Sequence, residues 1–441
     1  MSNDTAVKKY LPWMIVLIAM LFYAFNYLLR ISPSTMMQPL IQHFHIDAAA
    51  FGSMAAFYYY IYVPMQIPAG FIVDRFRVRF ILTMACAMSV LGLFVFISAN
   101  QFWVACLGRF MIGFGCSFAY ISTMKLAASW LPTNRFAIIA GLTTAFGMLA
   151  GAASDKYLTD MVQRFGYEKA LHGILFLGII IVALLFLIIR DKSHYKVDTK
   201  DIQKVSFKDL FSNMKNMCKK RQMWVIGAIA CLAYLPASIF LDLWGLPYLT
   251  TARHLSPAEA SSAISFVFFG WIVSGPLTGM FSDFVARRRL PLILGSIGSV
   301  LTISAILYAP AMSIADLCIL LFLFGACAGA QPLVFALGRE NNPNRFAATS
   351  ASFVNMVCML GGVIFQPLCG FLLDWHSGST AGSTHFNPAD FRFALGVLPL
   401  CFIASCFFTF MLKETHCRTV DTMEPSSGVT TATPSSVNTA A

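Results

Sequence analysis

The stretch Gly-Phe-Ile-Val-Asp-Arg-Phe-Arg-Val-Arg, residues 70–79, has a related copy at residues 279–289, Gly-Met-Phe-Ser-Asp-Phe-Val-Ala-Arg-Arg-Arg. The shared Gly-x-x-x-Asp unit recurs after 209 residues. The tetrapeptide Asn-Arg-Phe-Ala, at 134–137 and 344–347, recurs after 210. Two markers with nearly the same offset indicate an internal duplication. In an apolar chain, such a duplication is typical of secondary transporters whose repeats move around a shared site.

The composition places the chain in a membrane. It has 441 residues, of which 58% are hydrophobic and 12% charged, whereas soluble domains carry about 25% charged residues. Apolar stretches of about 20 residues, the length that spans a bilayer as a helix, occur twelve times. They lie near 11–38, 49–70, 80–99, 103–128, 136–158, 170–190, 222–249, 258–282, 290–309, 313–337, 346–374 and 391–412. These long runs exclude a transmembrane barrel and predict an all-α membrane protein with twelve transmembrane helices.

The segments divide into two sets of six, in agreement with the duplication. We expect a first six-helix bundle over residues 1–190 and a second, pseudo-symmetric bundle over 222–414. The segment that connects the two bundles, residues 191–221, is rich in basic residues. It predicts a cytoplasmic linker, helical in part, that lies on an anionic membrane surface. Residues 415–441 are rich in Ser, Thr and Pro and predict a disordered tail.

The lysines and arginines predict the topology. Most of the 31 fall in the two termini, the linker and the loops on one side of the predicted bundle. By the positive-inside rule that side is cytoplasmic, and both termini lie there. The formal net charge of +11 therefore reports orientation and gives no reason to expect nucleic-acid binding. We expect a monomer in the lipid bilayer, in the inner membrane of a bacterium.

The repeated Gly-x-x-x-Asp stretch resembles the cytoplasmic signature of the major facilitator superfamily, G-x-L-a-D-r-x-G-r-k. Gly70, Asp74, Arg75 and Arg79 match, whereas Arg77 stands where the family usually has glycine. A glycine allows two helices to approach closely, and an aspartate at a helix end can pair with arginines. The resemblance implies two bundles that alternate access to a site at mid-membrane.

The signature predicts a cytoplasmic latch that forms in one state and breaks in the other. A second reading is that these charges only set the topology. The arginines of the repeated tetrapeptide either join the latch across the bundles or follow a simple helix cap. The latch residues are Gly70, Asp74, Arg75, Arg79, Arg135, Gly279, Asp283, Arg287 and Arg345.

Two arginines and one aspartate lie within apolar segments. Arg109 precedes Gly113 and Gly115 in a pattern that resembles the family's R-x-x-x-G-x-G, and lies roughly 10 Å deep at 1.5 Å per residue. Arg30 follows Tyr27 in a stretch similar to the Y-x-D-R-x-N of anion:cation symporters, although Leu29 replaces the aspartate that family uses. A charge at this depth costs some 2.5 kcal/mol or more and marks a pathway or a partner.

Asp242 is the clear acidic candidate at depth, and we expect it to balance Arg30 or Arg109. The trio is either a structural ion pair or a site for an anion or zwitterion. Tyr58, Tyr62 and Gln66 share a helix face by four-residue spacing and either pack or contact a polar substrate. The predicted substrate-binding residues are Tyr27, Arg30, Tyr58, Tyr62, Gln66, Arg109, Asp242, Trp244, Gln331 and Asn355.

The region of Trp244 and Arg30 resembles a bacterial branch distantly similar to lysosomal dipeptide transporters. We predict a secondary transporter, a symporter or uniporter, for a small organic anion or zwitterion, with or without a coupling proton or cation. The alternatives are proton-coupled efflux, disfavoured because membrane carboxylates are scarce, and a non-transporting sensor. No nucleotide-binding or catalytic motif occurs, so we expect no enzyme activity, no cofactor and no metal site.

Overall fold

The computed structural model describes residues 3–131, 136–191, 207–343, 346–378, 381–382 and 386–418. Arg135 and Arg345 of the predicted latch lie outside these residues. So do residues 192–206 of the predicted linker and nearly all of the predicted tail.

The described residues of the first half form eight α-helices and one 3₁₀-helix. They are α1 (Asn3–Ile31), the 3₁₀-helix (Ser32–Met36), α2 (Met37–Phe44), α3 (Ala48–Arg75), α4 (Val78–Ile97), α5 (Phe102–Cys116), α6 (Ala119–Trp130), α7 (Phe136–Phe165) and α8 (Tyr167–Ile188). The helix α9 (Phe207–Lys219) follows within the predicted linker.

In the second half, the part of the chain that the structure describes forms nine further α-helices and one π-helix. They are α10 (Arg221–Ala233), the π-helix (Pro236–Trp244), α11 (Gly245–Ala252), α12 (Pro257–Val285), α13 (Arg289–Tyr308), α14 (Ile314–Ala328), α15 (Leu333–Glu340), α16 (Ala347–Ser377), α17 (Pro388–Leu395) and α18 (Val397–Met411). The described ranges contain no β-strand.

Ten helical stretches among the described residues are long and apolar enough to cross a membrane. The predicted segments 49–70 and 136–158 are not among the ten, although they form the long helices α3 and α7. Large apolar side chains such as Trp103, Phe176 and Leu400 are well exposed on the outside of the bundle, where a soluble protein would be polar. The chain is therefore an all-α membrane protein, and the count of twelve stays a prediction.

The breaks within helices repeat in the two halves. The first predicted segment is interrupted by the 3₁₀-helix, and the seventh by the π-helix. Each interruption begins next to a proline, Pro33 or Pro236, which has no N–H to donate to the preceding turn. Short breaks also divide α5 from α6 and α14 from α15. Discontinuous helices at equivalent positions of two repeats point to the region where a transporter binds its substrate.

The two halves pack together along two helix pairs, α3 with α16 and α7 with α12. We call the end where α3 and α12 begin the outer end, and the end where they finish the cytoplasmic end, following the positive-inside prediction. Asp47 caps α3 by accepting from the Ala50 N–H at 2.7 Å. Ser256 and Glu259 form a capping box at the start of α12.

Candidate functional site

Arg30 and Asp242 form a buried ion pair between the two halves of the chain. The Nε atom of Arg30 lies 3.2 Å from Asp242 Oδ2, with side chains only 6% and 1% exposed. Arg30 Nη1 also donates to the Tyr234 hydroxyl at 3.3 Å, and the Tyr59 hydroxyl donates to Asp242 Oδ2. Because α1 and α3 belong to one half and Tyr234 and Asp242 to the other, this cluster joins the halves.

The π-helix places Asp242 in this cluster. Its wider turn leaves backbone carbonyls to be satisfied by side chains, and π-turns occur often at functional sites. Gln366 of α16 donates from Nε2 to the Ser238 carbonyl at 2.8 Å, while Trp244 Nε1 donates to the Gln366 carbonyl at 3.2 Å. The irregular backbone is thus fixed by α16, which also packs on α3.

Arg109 holds the end of α1. In a regular helix the Leu29 carbonyl would accept from the N–H of residue 33, but Pro33 has none. Arg109 Nη1 replaces that donor at 2.7 Å, and the Ser32 hydroxyl also donates there at 3.1 Å. Arg109 Nη2 lies 3.4 Å from the Ala55 carbonyl of α3. The geometry therefore gives Arg109 a positioning role beside Arg30.

The predicted tyrosines form a buried aromatic wall around the two arginines. The Arg30 guanidinium carbon lies 4.3 Å from the centre of the Tyr27 ring, and that of Arg109 lies 5.4 Å from the Tyr58 ring. Tyr58 stacks on Tyr62 with ring centres 5.4 Å apart and donates to Asn26 Oδ1 at 2.6 Å. Aromatic faces of this kind favour cations and shield them from solvent.

Of the remaining predicted residues, Gln66, Gln331 and Asn355 lie from the cluster toward the cytoplasmic end, and Trp244 lies toward the outer end. Asn355 Nδ2 of α16 donates to Gln66 Oε1 of α3 at 2.7 Å, a second polar link between the halves. Gln331 is buried away from this pair, and its Nε2 contacts Cys358 Sγ at 3.4 Å. Trp244 packs edge-on against Phe51 of the other half. Gln66, Asn355 and Trp244 thus lie between the halves, whereas Gln331 contacts its own half.

In the first copy of the repeated signature the charges are exposed. Asp74, with 79% of its side chain exposed, pairs with Lys125 of α6 at 3.5 Å. Lys125 also donates to the Val73 carbonyl. Arg75 and Arg79 lie over the rings of Phe71 and Phe186, respectively. These contacts stay within the first half.

In the second copy Arg288 and Glu340 form a buried ion pair, and the exposed Asp283 contacts the same arginine. Arg288 Nη1 contacts Asp283 Oδ1 at 2.6 Å, and Arg288 Nη2 contacts Glu340 Oε1 at 2.7 Å. The Thr415 hydroxyl donates to Glu340 Oε2 at 2.6 Å. The predicted latch residue Arg287 is exposed, so Arg288 is the partner of Asp283. Burial alone would lower the pKa of Arg288, but the ion pairs with Glu340 and Asp283 raise this pKa above its ordinary value. Arg288 therefore stays charged.

The glycines of the repeated signature face open space. A β-carbon at Gly70 or Gly279 would have no neighbour within 4 Å. We expected these glycines to permit a close helix contact, and the structure does not have that contact. The latch therefore stays a prediction for a different arrangement of the halves.

The sequence reasoning missed three buried residues of the site. Tyr59 and Tyr234 were not distinguished from the other aromatic residues, because only the fold brings them to Asp242 and Arg30. Asp155 of α7 was not recognised as a membrane carboxylate, although it falls inside a predicted segment. Its side chain is fully buried and accepts from the Ser34 hydroxyl at 3.4 Å. The inference that carboxylates are scarce was therefore incomplete.

The helices form two repeats, some of them are discontinuous, and a buried charge cluster lies between the repeats. This is the architecture of a secondary transporter. The family model "Major Facilitator Superfamily" matches residues 17–366. The chain belongs to this superfamily of membrane transporters. The family membership confirms the predicted fold class and the prediction that the protein is not an enzyme.

Similar proteins share most of the chain at low identity. The probable sulfoacetate transporter SauU of Cupriavidus necator is 22% identical and aligns with 82% of this chain and 87% of its own length. The lysosomal dipeptide transporter MFSD1 of Danio rerio is 23% identical, with 82% and 80% covered. A solved inward-facing bacterial homolog of the human lysosomal transporter Spinster has a TM-score of 0.71 at 17% identity, covering 97% of this chain and all of that one. This last likeness shows the fold alone.

Proposed function

We propose that the protein is a secondary transporter that moves a small organic anion or zwitterion, of the carboxylate, amino-acid or dipeptide type, by alternating access. The observation that best supports this proposal is the Arg30–Asp242 ion pair between the two repeats. A guanidinium group binds a carboxylate through two parallel hydrogen bonds. Sulfoacetate and dipeptides, for which two of the similar transporters are named, each contain a carboxylate.

Unused hydrogen-bonding groups support this assignment. The Nε–H group of Arg109 has no hydrogen-bond acceptor among the described residues, and Asp242 Oδ1 has no donor. Buried polar atoms are usually satisfied, so unpaired ones at one place call for an explanation. A substrate carboxylate would accept from the arginines, and the ammonium group of a zwitterion would donate to Asp242.

The arrangement of the halves supports alternating access. Contacts of α3 with α16 join the halves at the outer end, while Gly70 and Gly279 at the cytoplasmic end face open space. We assign the structure to a state closed toward the outside. The Arg30–Asp242 pair would open when the substrate takes its place, so that binding and movement of the halves are linked.

The other sequence predictions stand as part of the proposal. We place bundles at residues 1–190 and 222–414, a cytoplasmic linker at 191–221 and a cytoplasmic tail at 415–441. We assign the protein to a bacterial inner membrane as a monomer with both termini in the cytoplasm. Its partners are the lipid bilayer and one small-molecule substrate.

The test is the melting temperature of the detergent-purified protein with carboxylates, amino acids, dipeptides, sugars and lipophilic cations. A ligand that binds the folded state raises this temperature. We expect carboxylates or dipeptides to stabilise the wild type and not Arg30→Ala. Arg164→Ala, which removes an exposed arginine of α7, should respond as the wild type does.

Asp242→Asn separates a binding site from a purely structural ion pair. The amide keeps an acceptor for Tyr59 and frees Arg30, so anion binding should be kept or strengthened. Equal loss of ligand response in Arg30→Ala and Asp242→Asn would favour the structural ion pair. Stabilisation by lipophilic cations alone would replace the proposal with efflux.

A further inference from the structure

Asp155 is a buried acid that takes part in none of the ion pairs found among the described residues of the site. Its side chain is fully buried in α7, at the helix that packs on α12 of the other half. Oδ1 accepts one hydrogen bond, from Ser34 at 3.4 Å, and Oδ2 has no partner among the described residues. An ionised carboxylate held in this way, away from water and without a cation, is strongly unfavourable.

The neighbouring elements supply no counter-ion. The Asp242 carboxylate of the π-helix interacts with Asp155 electrostatically, as a like charge. Arg30 of α1 pairs with Asp242, Lys125 of α6 pairs with Asp74, and Glu259 of α12 is held by its own capping box. The remaining charged or titratable groups of α7 and α8 near the outer end have exposed or half-exposed side chains: Lys156, Tyr157, Asp160, Arg164, Tyr167, Glu168, Lys169 and His172.

The charge balance of the buried cluster links Asp155 to the substrate. Arg30 and Arg109 contribute two positive charges, and Asp242 and Asp155 contribute two negative charges when ionised. With Asp155 ionised the cluster is neutral and has no excess charge for an anion. With Asp155 protonated the cluster carries one positive charge, which one substrate carboxylate would neutralise.

We propose that Asp155 is a proton-binding site, and that its proton travels with the anionic substrate. The carboxylate takes one proton from the side where the site is open, and the same proton leaves when the site opens on the other side. The Ser34 bond provides the connection, because Ser34 lies one helical turn beyond Arg30. The coupling part rests on the proposed function, whereas proton binding by Asp155 does not.

Infrared spectroscopy of the purified protein tests proton binding without any substrate. We expect a band of a protonated carboxyl group at neutral pH in the wild type and its loss in Asp155→Asn. Asp160→Asn, on the same helix and half-exposed, should keep the band. If Asp155→Asn and wild type give the same carboxyl spectrum across the pH titration, Asp155 is ionised and the proposal is overturned.

Flux in proteoliposomes tests coupling, with the carboxylate or dipeptide that raises the melting temperature as the probe. In Asp155→Asn, accumulation driven by a pH gradient should be lost while exchange of labelled for unlabelled probe continues. The variant should fold, because its amide oxygen can still accept from Ser34. Accumulation equal to wild type would remove the coupling role. If no carboxylate is transported, the proposed function fails, and the infrared result still decides whether Asp155 binds a proton.

Discussion

The outer and cytoplasmic ends of the molecule are held together in different ways. At the outer end the halves touch backbone to backbone: a β-carbon at Gly52 or Gly370 would overlap the carbonyl oxygen of Gln366 or Ala48, each in the other half. At the cytoplasmic end Gly70 and Gly279 face open space. Close packing between the halves is thus concentrated at one end.

The hydrogen bonds and ion pairs follow the same division. Asp374 at the outer end of α16 accepts from the backbone N–H groups of Ala48 at 3.1 Å and Ala49 at 2.7 Å, across the halves. The ion pairs of Asp74 and Arg288 at the cytoplasmic end each form within one half. Polar contacts at the outer end and in the middle therefore join the halves, while the ion pairs at the cytoplasmic end stabilise each half separately.

Arg288→Ala should have the largest effect on stability. It leaves Glu340 buried without its cation, and breaking a buried ion pair costs about 3–5 kcal/mol. Lys125→Ala, which breaks the exposed pair of the first copy, should cost about 1 kcal/mol or less. Chemical unfolding in detergent measures both. If both variants lose the same free energy of unfolding, the ion pairs of the two copies are equally buried, which would contradict the difference described here.

Gly52→Ala and Gly370→Ala should force the outer contact apart. Overpacking of this kind costs about 1–3 kcal/mol. Hydrogen exchange of the backbone amides in the first turns of α3 should become faster, since these amides lose their partners in α16. Gly70→Ala is the matched control on the same helix and should change neither quantity. A comparable loss of stability in Gly70→Ala would mean that the cytoplasmic end is also closed.

Asp374→Ala should weaken the outer contact by about 1 kcal/mol, the usual value of a helix-capping side chain. Hydrogen exchange of the backbone amides should become faster in both α3 and α16, because the Asp374 cap joins the two halves. Asp47→Ala removes the cap that α3 supplies to itself and should affect α3 alone. If hydrogen exchange in α16 becomes faster in both variants, the Asp374 cap joins the halves no more than the Asp47 cap does, and this prediction is wrong.

Asp74→Asn should change stability least, by less than about 1 kcal/mol, because the pair with Lys125 is exposed. Its expected effect is on rate: substrate binding is kept, but turnover slows, since the predicted latch forms in the opposite state. Binding from the melting temperature and flux from proteoliposomes separate the two. Normal turnover would count against a latch at Asp74.

The sequence predicted the elements whose signal is local. Apolar length located the membrane helices, and Arg30 and Asp242 stood out as charges in apolar surroundings; their pairing is observed. The contacts of Tyr59 and Tyr234 depend on how distant helices meet, which no local pattern contains. Arg109 was predicted as a substrate residue, but the missing N–H of Pro33 directs two of its nitrogens to the backbone, a consequence visible only with coordinates.

The π-helix at Pro236–Trp244 changes the rotational phase of the helix that contains it. In a regular α-helix each residue turns by about 100°, whereas a π-turn spreads a full rotation over more residues. A helical wheel drawn continuously through residues 222–252 therefore assigns Asp242 and everything after it to the wrong faces. The apolar face of α11 and the charge of Asp242 are in register with their neighbours because the wide turn corrects the angle between them.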